Sequence, residues 1–464
     1  MTQDGRRMWL AVAGILVLRG ALLGIPALTD PTESRYATIA MQMADSGDWV
    51  TPRLWLKGEL VPYWGKPPLH FWLTAASFKA FGLSAWAARL PSFLAGVLTV
   101  ALTGWIGFRI WDAAAGGAAA LILASALLFY PYLGGTIIDM TLAMTVGFAL
   151  LTFAACLNHR SRRPGLAAFA FLALGFLTKG PVAIALVGLP LVLWLALTRR
   201  WRDLVRVPWL GGALLFAILT VPWFAAAERA TPGFLRYFFV NENFGRFLSH
   251  NYGDLYGAGH RYPYGTIWPA LFACFLPWST VLVWVLWRKG SAVRRDPWLV
   301  FALCWGLGPA ILFTVGRQWL PAYLLPGLPG LALATARLAG LRPRALIAWA
   351  LFVPVAACAV VPASVIIDDQ RSCRTIIGMI ADRPEARRMQ VVFYPRVPHS
   401  AQFYGKMAGL TVSPIAADDA ALRKTVPGRL LVVPGPRDSL TAPMRSRLRG
   451  VAVIATGRWA ACIW

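Results

Sequence analysis

The stretch "MWLAVAGILVLRGALLGIPALTDPTESRYATIAMQMADSGDW" (residues 8–49) joins an apolar run to an acid-rich segment. Residues 8–27 are long and apolar enough to cross a bilayer as a helix. Residues 28–49 then carry Asp30, Glu33, Asp45 and Asp48, in a chain with only 20 Asp and Glu among 464 residues. Charges beside apolar helices cost free energy unless they are paired or used, so this junction indicates a membrane protein with functional acids at one surface.

The composition places the whole chain in the same class. Hydrophobic residues make up 58% of the chain and charged residues only 14%. A soluble protein of this size would need far more polar surface, so we predict an all-α polytopic membrane protein. The net charge of +25 does not predict nucleic-acid binding, because the basic residues concentrate in alternate loops between the apolar runs.

Those loops also predict the orientation. Basic clusters such as "NHRSRRPG" (158–165) and "RRWRDLVR" (199–206) lie on one predicted side, which the positive-inside rule assigns to the cytoplasm. The amino terminus is then cytoplasmic, the first helix is retained rather than removed as a signal peptide, and residues 28–85, 227–263 and 367–464 lie outside. We expect about eleven spans: 8–27, 86–110, 114–132, 140–157, 166–178, 181–198, 209–226, 264–287, 298–315, 320–337 and 345–366.

The outer segments have structure of their own. "SRYATIAMQMADSG" (34–47) and "LHFWLTAASFKAFG" (69–82) predict two amphipathic helices that end at Gly47 and Gly82, and residues 231–249 have the same interfacial character. The tail predicts a small α/β domain, with strands at "MQVVFYP" (389–395), "GRLLVVPGP" (428–436) and "VAVIATG" (451–457). Cys373 and Cys462 in this tail are candidates for a disulfide.

Several loops deliver charged residues to the same predicted side. A mixture of cations and carboxylates there suits a reaction on an anionic, lipid-linked substrate, because cations hold a phosphate while a carboxylate activates the acceptor. Structural roles stay open beside this one: helix capping for Asp30 and Glu33, interfacial anchoring for the lysines and Arg317, and stabilisation of Asp139 by a helix N-terminus. The candidates are Asp30, Glu33, Arg35, Lys66, Asp139, Lys179, Glu242, Arg246 and Arg317.

An ordered series of motifs resembles a known family. The series includes "ESRYATIAMQMADSGDWVTPRL" (33–54), "YWGKPPLHFWLTAASFKAFG" (63–82), "IIDMTLAM" (137–144), "FLRYFFVNENFGRFL" (234–248) and "GRQWLPAYLLPGLPGLAL" (316–333). It is similar to the lipid A aminoarabinose transferases, which are integral membrane GT-C glycosyltransferases related more distantly to the protein O-mannosyltransferases. The resemblance implies a GT-C catalytic domain over residues 1–366, followed by a periplasmic α/β domain over residues 367–464.

The same resemblance implies the reaction. The donor would be a sugar on undecaprenyl phosphate or another polyprenyl phosphate, and transfer would occur with inversion at the periplasmic face of the bacterial inner membrane. The acceptor would be lipid A, another envelope glycolipid, a polysaccharide or a protein. Membrane lipids are expected partners and nucleic acid is not. A non-catalytic polyprenyl-lipid-binding assembly protein and a lipid transporter or flippase are the alternatives, and a transporter would show a path across the membrane rather than one outward cavity.

Family roles transfer to matching positions of this chain. Four positions depart from the family pattern. Thr32 replaces an acid, Gly65 replaces an acid before Lys66, Asn243 replaces a histidine and Trp319 replaces a lysine. With these ligands absent we predict no metal site, although a divalent cation beside Asp139 stays open. From these matches and from the charged residues above, we expect three groups of site residues. The catalytic group is Glu33, Asp30 and Asp139, with Glu33 or Asp30 acting on the acceptor. The phosphate-binding group is Arg35, Lys66, Arg317 and Lys179, and the substrate-binding group is Tyr36, Tyr63, Glu242, Arg246 and Tyr323.

Overall fold

The chain folds into two compact units. The structure, a computed structural model, describes residues 3–159, 161–246, 255–256, 261–293, 295–340, 342–417, 429–434, 453–456 and 458–463. The first unit comprises residues 1–21, 64–70 and 91–357, and the second comprises residues 22–63, 71–90 and 358–464. The predicted boundary at residue 366 follows the chain in order, whereas the compact units group most of the first outer segment with the tail.

The first unit is helical. Its core is built from large apolar side chains, among them Trp194, Trp278 and Trp305, which are almost completely buried. Helices suit this composition because a helix satisfies its own backbone hydrogen bonds where water is scarce. The helices that contribute to it are Gln3–Ala21, Ala85–Ile110, Ala113–Ala124, Phe129–Tyr132, Ile138–His159, Arg162–Lys179, Val182–Thr198, Trp209–Ala230, Phe234–Arg236, Ile267–Cys274, Trp278–Val293, Pro297–Phe313, Leu328–Ala339 and Pro343–Arg371.

Three helices in the described part of the chain are long and apolar enough to cross a bilayer: Ala85–Ile110, Ile138–Asn158 and Trp209–Ala230. A bent pair, Ile267–Cys274 with Trp278–Val293, would make a fourth. Further apolar helices are shorter, namely Ala113–Ala124, Val182–Thr198, Pro297–Phe313 and Pro343–Ala359. Length and composition thus support the membrane class, while the full count of eleven spans stays a prediction.

Three predicted spans are not continuous α-helices. The predicted span 114–132 divides into the helix Ala113–Ala124 and the short helix Phe129–Tyr132. The predicted span 264–287 bends by 106° between Cys274 and Trp278, and Pro277 lies in this break. The predicted span 320–337 begins as a 3-10 helix, Pro321–Gly327, before the α-helix Leu328–Ala339. In the spans 264–287 and 320–337, prolines lie at the interruption, and proline lacks the N–H that would continue an α-helix.

The second unit begins with the two predicted amphipathic helices. They run over Thr32–Ser46 and Leu69–Phe81 and end where Gly47 and Gly82 take positive φ angles of 73° and 79°, a backbone conformation that glycine adopts without strain. The positions and ends of both helices are confirmed, whereas their location at the membrane interface stays a prediction.

The first outer segment also contains an unpredicted hairpin. Strand Arg53–Leu56 pairs antiparallel with Glu59–Pro62, and Leu56 faces Glu59 across the turn. Lys57 and Gly58 have φ angles of 52° and 92°. Two successive left-handed residues are what a tight two-residue hairpin loop requires.

The tail is α/β, as predicted. Gln390–Phe393 lies parallel to its neighbours Thr411–Val412 and Arg429–Pro434, and Trp459–Ile463 then runs antiparallel between Arg429–Pro434 and Val453–Ala455. Helices Arg374–Ala381 and His399–Met407 accompany this sheet. Cys373 is buried, but the side chain of Cys462 lies outside the described residues, so their pairing stays a prediction.

Candidate functional site

A cavity of about 440 Å³ lies within the first unit. Its wall combines charged, polar and apolar side chains. Because the described parts of six segments contribute to it, the fold rather than one local motif creates the cavity. The lining residues are Lys66, Lys179, Pro181, Val182, Ile184, Ala185, Glu242, Asn243, Phe244, Arg246, Leu312, Phe313, Gln318 and Tyr323.

A sharp turn between two helices places Lys179. Helix Arg162–Lys179 ends there, and the next helix starts at Val182 after Gly180 and Pro181. Gly180 has a φ of +77°, and a Cβ atom on it would lie 2.5 Å from the ring of Phe238. Only glycine allows both this backbone conformation and this close approach.

Lys179 forms a salt bridge with Asp139. Asp139 lies in the first turn of helix Ile138–His159 and Lys179 in the last turn of its own helix, so each charge has the sign that its helix end favours. The ammonium nitrogen of Lys179 also lies 3.8 Å from the centroid of the Tyr323 ring, a cation–π contact. The lysine is therefore held by a carboxylate and by an aromatic face at the same time.

Glu242 binds two cations at once. It lies in the π-helix Tyr237–Gly245, and its Oε1 atom accepts hydrogen bonds from Lys66 Nζ at 2.5 Å and from Arg246 Nη1 at 2.8 Å. Burial pushes the pKa of the Glu242 carboxyl upward, but the charges and hydrogen bonds of Lys66 and Arg246 outweigh burial and hold the pKa below its usual range. Glu242 is therefore ionised and keeps both cations on the cavity wall.

The predicted acid Glu33 has different surroundings, in the second unit. Its Oε1 accepts a hydrogen bond from Arg89 Nε at 2.7 Å, and its Oε2 accepts one from Arg89 Nη2 at 3.1 Å. The remaining N–H groups of Arg89 bond the backbone oxygens of Leu23, Pro26 and Ala27. Arg89 thereby ties Glu33 to the chain that precedes it.

Asp30 joins the same helix to the tail. Its Oδ1 accepts hydrogen bonds from Ser34 Oγ at 2.5 Å and from the Ser400 backbone N–H at 3.0 Å, and Ser400 Oγ donates to Asp30 Oδ2. Beside it, burial lowers the pKa of His399 to about 4; Arg35 lowers it further and Asp30 opposes the shift. Asp30 therefore has a structural task that the sequence did not reveal.

The other predicted residues divide between the two units. Arg35 lies over the rings of Tyr36 and Tyr63 in the second unit, at 5.6 and 5.8 Å from their centroids. In the first unit, the Arg317 guanidinium lies 4.3 Å from the ring centroid of Tyr264, and Arg317 is not among the residues that line the cavity.

The structure thus brings half of the predicted site together. Lys66, Lys179, Glu242, Arg246 and Tyr323 line one cavity, and Asp139 binds one of these residues. Sequence reasoning missed the neutral lining residues, above all Gln318 and Asn243. It named position 243 only as a lost histidine, and an isolated amide gives no composition signal.

No group of three or more His, Cys, Asp and Glu side chains in the described ranges is arranged to hold a metal ion. The cavity instead combines cations paired with carboxylates and an apolar wall.

Comparison with known proteins points the same way. Residues 65–225 match the family described as dolichyl-phosphate-mannose-protein mannosyltransferase. The relatives include proteins named undecaprenyl phosphate-alpha-4-amino-4-deoxy-L-arabinose arabinosyl transferase: one from Pseudomonas aeruginosa is 35% identical over 65% of this chain and 54% of its own length. One from Erwinia tasmaniensis is 30% identical over 73% of this chain and 62% of its own length. The chain thus spans little more than half the length of these relatives.

Solved structures extend the likeness to the whole fold. ArnT from Cupriavidus metallidurans in the apo state is 22% identical with a TM-score of 0.81, and the match covers 99% of this chain and 98% of that one. The same protein bound to undecaprenyl phosphate gives a TM-score of 0.75. An archaeal oligosaccharyltransferase from Archaeoglobus fulgidus gives 0.54 at 13% identity, over 98% of this chain and 74% of that one. The chain therefore has the fold of ArnT, and its sequence is similar to the aminoarabinose transferases over little more than half of their length.

Proposed function

We propose that this chain is a glycosyltransferase that moves a sugar from a polyprenyl phosphate carrier to an envelope acceptor. One observation carries the proposal: three cations and an apolar wall share one cavity. A lipid phosphate has the same two parts, an anionic head and an apolar chain. The donor class agrees with that of the relatives, whose name specifies an undecaprenyl phosphate-linked sugar.

The phosphate would be held by Lys66, Lys179 and Arg246. Each cation is already positioned by a carboxylate, Glu242 or Asp139, so little side-chain entropy is lost when the substrate binds. Arginine can also bind two phosphate oxygens in parallel. The first carbons of the lipid would then contact the apolar wall formed in part by Val182, Ile184 and Leu312.

The transfer step follows from this placement. An acceptor oxygen attacks C1 of the sugar on the face opposite the phosphate, and the bond between C1 and the phosphate oxygen breaks with inversion. The leaving phosphate gains negative charge, which the three cations stabilise because they are fixed before the reaction begins. When Lys179 moves its hydrogen bonds to the phosphate, Asp139 becomes available to accept the proton of an acceptor hydroxyl.

Glu33 and Asp30 remain the proposed acceptor-side carboxylates of the second unit. Glu33 is ionised against Arg89 and Asp30 bonds two serines, so both suit orientation better than proton abstraction. Orientation suffices when the acceptor oxygen is itself anionic, as on a phosphate. Arg35, Tyr36 and Tyr63 stay candidates for substrate contact in the same unit.

The topology belongs to the proposal as well. We place the protein in the inner membrane with about eleven spans, a cytoplasmic amino terminus and a periplasmic tail. The distribution of basic residues over alternate loops supports this orientation. Transfer would then take place at the periplasmic face, on the side of the first outer segment.

Glycolipid analysis of living cells tests the function. A deletion strain is expected to lose a sugar mass from one envelope lipid, and the wild-type chain to restore it. Lys66→Ala and Asp139→Asn should restore little of it, whereas Lys406→Ala, which removes an exposed ion pair with Asp45, should restore it fully. Full restoration by both cavity variants would contradict the assignment of this cavity as the active site.

A further inference from the structure

One polar side chain of the cavity has no task in the mechanism above. Gln318 lines the cavity and is only 8% exposed. Its Oε1 atom is buried and has no hydrogen-bond partner among the described residues. A buried amide oxygen left in this state costs free energy, so the group is expected to have a partner when the cavity is filled.

The backbone around Gln318 is fixed. Gln318 forms an isolated bridge with Arg261, and the preceding carbonyl of Arg317 accepts a hydrogen bond from the Tyr262 N–H at 2.8 Å. On the other side, the ring of Trp319 packs against that of Tyr262 with centroids 4.6 Å apart. A side chain that starts from a backbone held at both flanking residues is suited to discriminating between ligands, because its position is set before the ligand binds.

The charges of the cavity limit what can bind there. Three cations (Lys66, Lys179 and Arg246) face two carboxylates (Glu242 and Asp139). One positive charge is left over, and it balances the single negative charge of a phosphodiester such as a lipid-phosphate-linked sugar. A sugar that carries an ammonium group would add a second, unbalanced positive charge in a poorly solvated place.

We propose that Gln318 is a specificity-determining residue that binds a hydroxyl group of the transferred sugar, and that the cavity selects a donor whose sugar is neutral. The inference rests on the proposed function and names its substrate class. A neutral amide suits a hydroxyl, which can both donate and accept, whereas an ammonium would favour a carboxylate in this position. The preference therefore differs from the aminoarabinose in the names of the relatives.

Three probes separate the contributions of the lipid phosphate, the sugar and the amino group to binding. They are undecaprenyl phosphate, undecaprenyl phosphate carrying a neutral pentose, and the same lipid carrying a 4-amino-4-deoxypentose. Binding to the purified full chain in lipid nanodiscs is measured by competition. The wild type should bind the neutral-sugar lipid about tenfold more tightly than the amino-sugar lipid. Gln318→Leu should lose about tenfold for the neutral-sugar lipid and leave the sugar-free lipid unchanged.

A charge exchange sharpens the test. Gln318→Glu keeps the size of the side chain and adds the missing negative charge, so it should reverse the preference toward the amino-sugar lipid. Gln402→Leu is the matched control, since Gln402 also has a buried Oε1 atom without a partner in the described part of the chain but lies in the second unit; its ligand preference should equal that of the wild type.

Different results would contradict the proposed function and the inference about Gln318. A wild-type chain that does not bind sugar-free undecaprenyl phosphate overturns the proposed function, and the inference with it. A chain that binds this lipid but prefers the amino-sugar donor, or whose preference is unchanged in both Gln318→Leu and Gln318→Glu, overturns the inference alone.

Discussion

The two units each contain a buried glutamate–arginine pair, and the two pairs have different surroundings. Glu242 and Arg246 lie four residues apart and line the cavity of the first unit. Glu33 and Arg89 are 56 residues apart in the second unit, and the Arg89 side chain is only 3% exposed. Both pairs are largely buried, so burial alone does not distinguish a substrate-binding pair from a structural one.

The difference is in how the donors of each arginine are used. Arg89 bonds three backbone oxygens in addition to Glu33, so its partners are all parts of the fold. Arg246 shares Glu242 with Lys66 on a cavity wall, where a phosphate could replace the carboxylate as partner. An ion pair next to an open volume can exchange partners, whereas one enclosed by backbone carbonyls stabilises the fold.

The largest effect is expected from Arg89→Ala. The change leaves Glu33 as a buried charge without its cation and removes the donor from three carbonyl groups, which should cost about 3–5 kcal/mol of unfolding free energy. Thermal unfolding of the purified chain in detergent measures the loss, and Arg89→Lys should recover part of it. An Arg89→Ala protein that unfolds at the wild-type temperature and yet fails to bind undecaprenyl phosphate would show that Arg89 serves the substrate instead.

Arg246→Ala should give the opposite pattern. Losing a charged hydrogen-bond donor to phosphate weakens binding of undecaprenyl phosphate by roughly tenfold to hundredfold, while the unfolding temperature changes little because Glu242 keeps Lys66 as a partner. Competition binding and thermal unfolding on the same preparation check both parts. If the unfolding temperature of Arg246→Ala falls as far as that of Arg89→Ala, the contrast between the two pairs is wrong.

The sequence predicted the parts that follow from local pattern or from the cost of charge. Helical spacing ending in Gly47 predicted the helix Thr32–Ser46, and charges next to apolar runs identified Lys66, Asp139 and Glu242. The hairpin at Lys57 and Gly58 was missed, because a lysine in the left-handed conformation has no sequence signature.

The other features that the sequence did not predict depend on contacts between residues far apart in the chain. The pairing of Glu33 with Arg89 was not predicted, because the two residues are far apart in the chain and no local pattern connects them. Asp30 bonds Ser400 across 370 positions. Gln318 was missed because an uncharged amide becomes informative only when its burial and its place on the cavity wall are known.

The smallest effect is expected from His399→Gln in the second unit, on how the stability of the fold depends on pH. The pKa of His399, near 6.5 in an unfolded chain, is about 4 in the folded protein, chiefly because of burial. The unfolded chain therefore binds more protons between these values, and the folded state loses stability as the pH falls from about 7.5 to about 5, by about 2 kcal/mol from this residue. His399→Gln should remove that share of the decline in unfolding temperature. Some decline should remain, because burial also lowers the pKa of His70 to about 4. An unchanged pH profile in His399→Gln would mean that His399 has the same pKa in the folded and unfolded chain. In that case the imidazole beside Asp30 would not be buried from water.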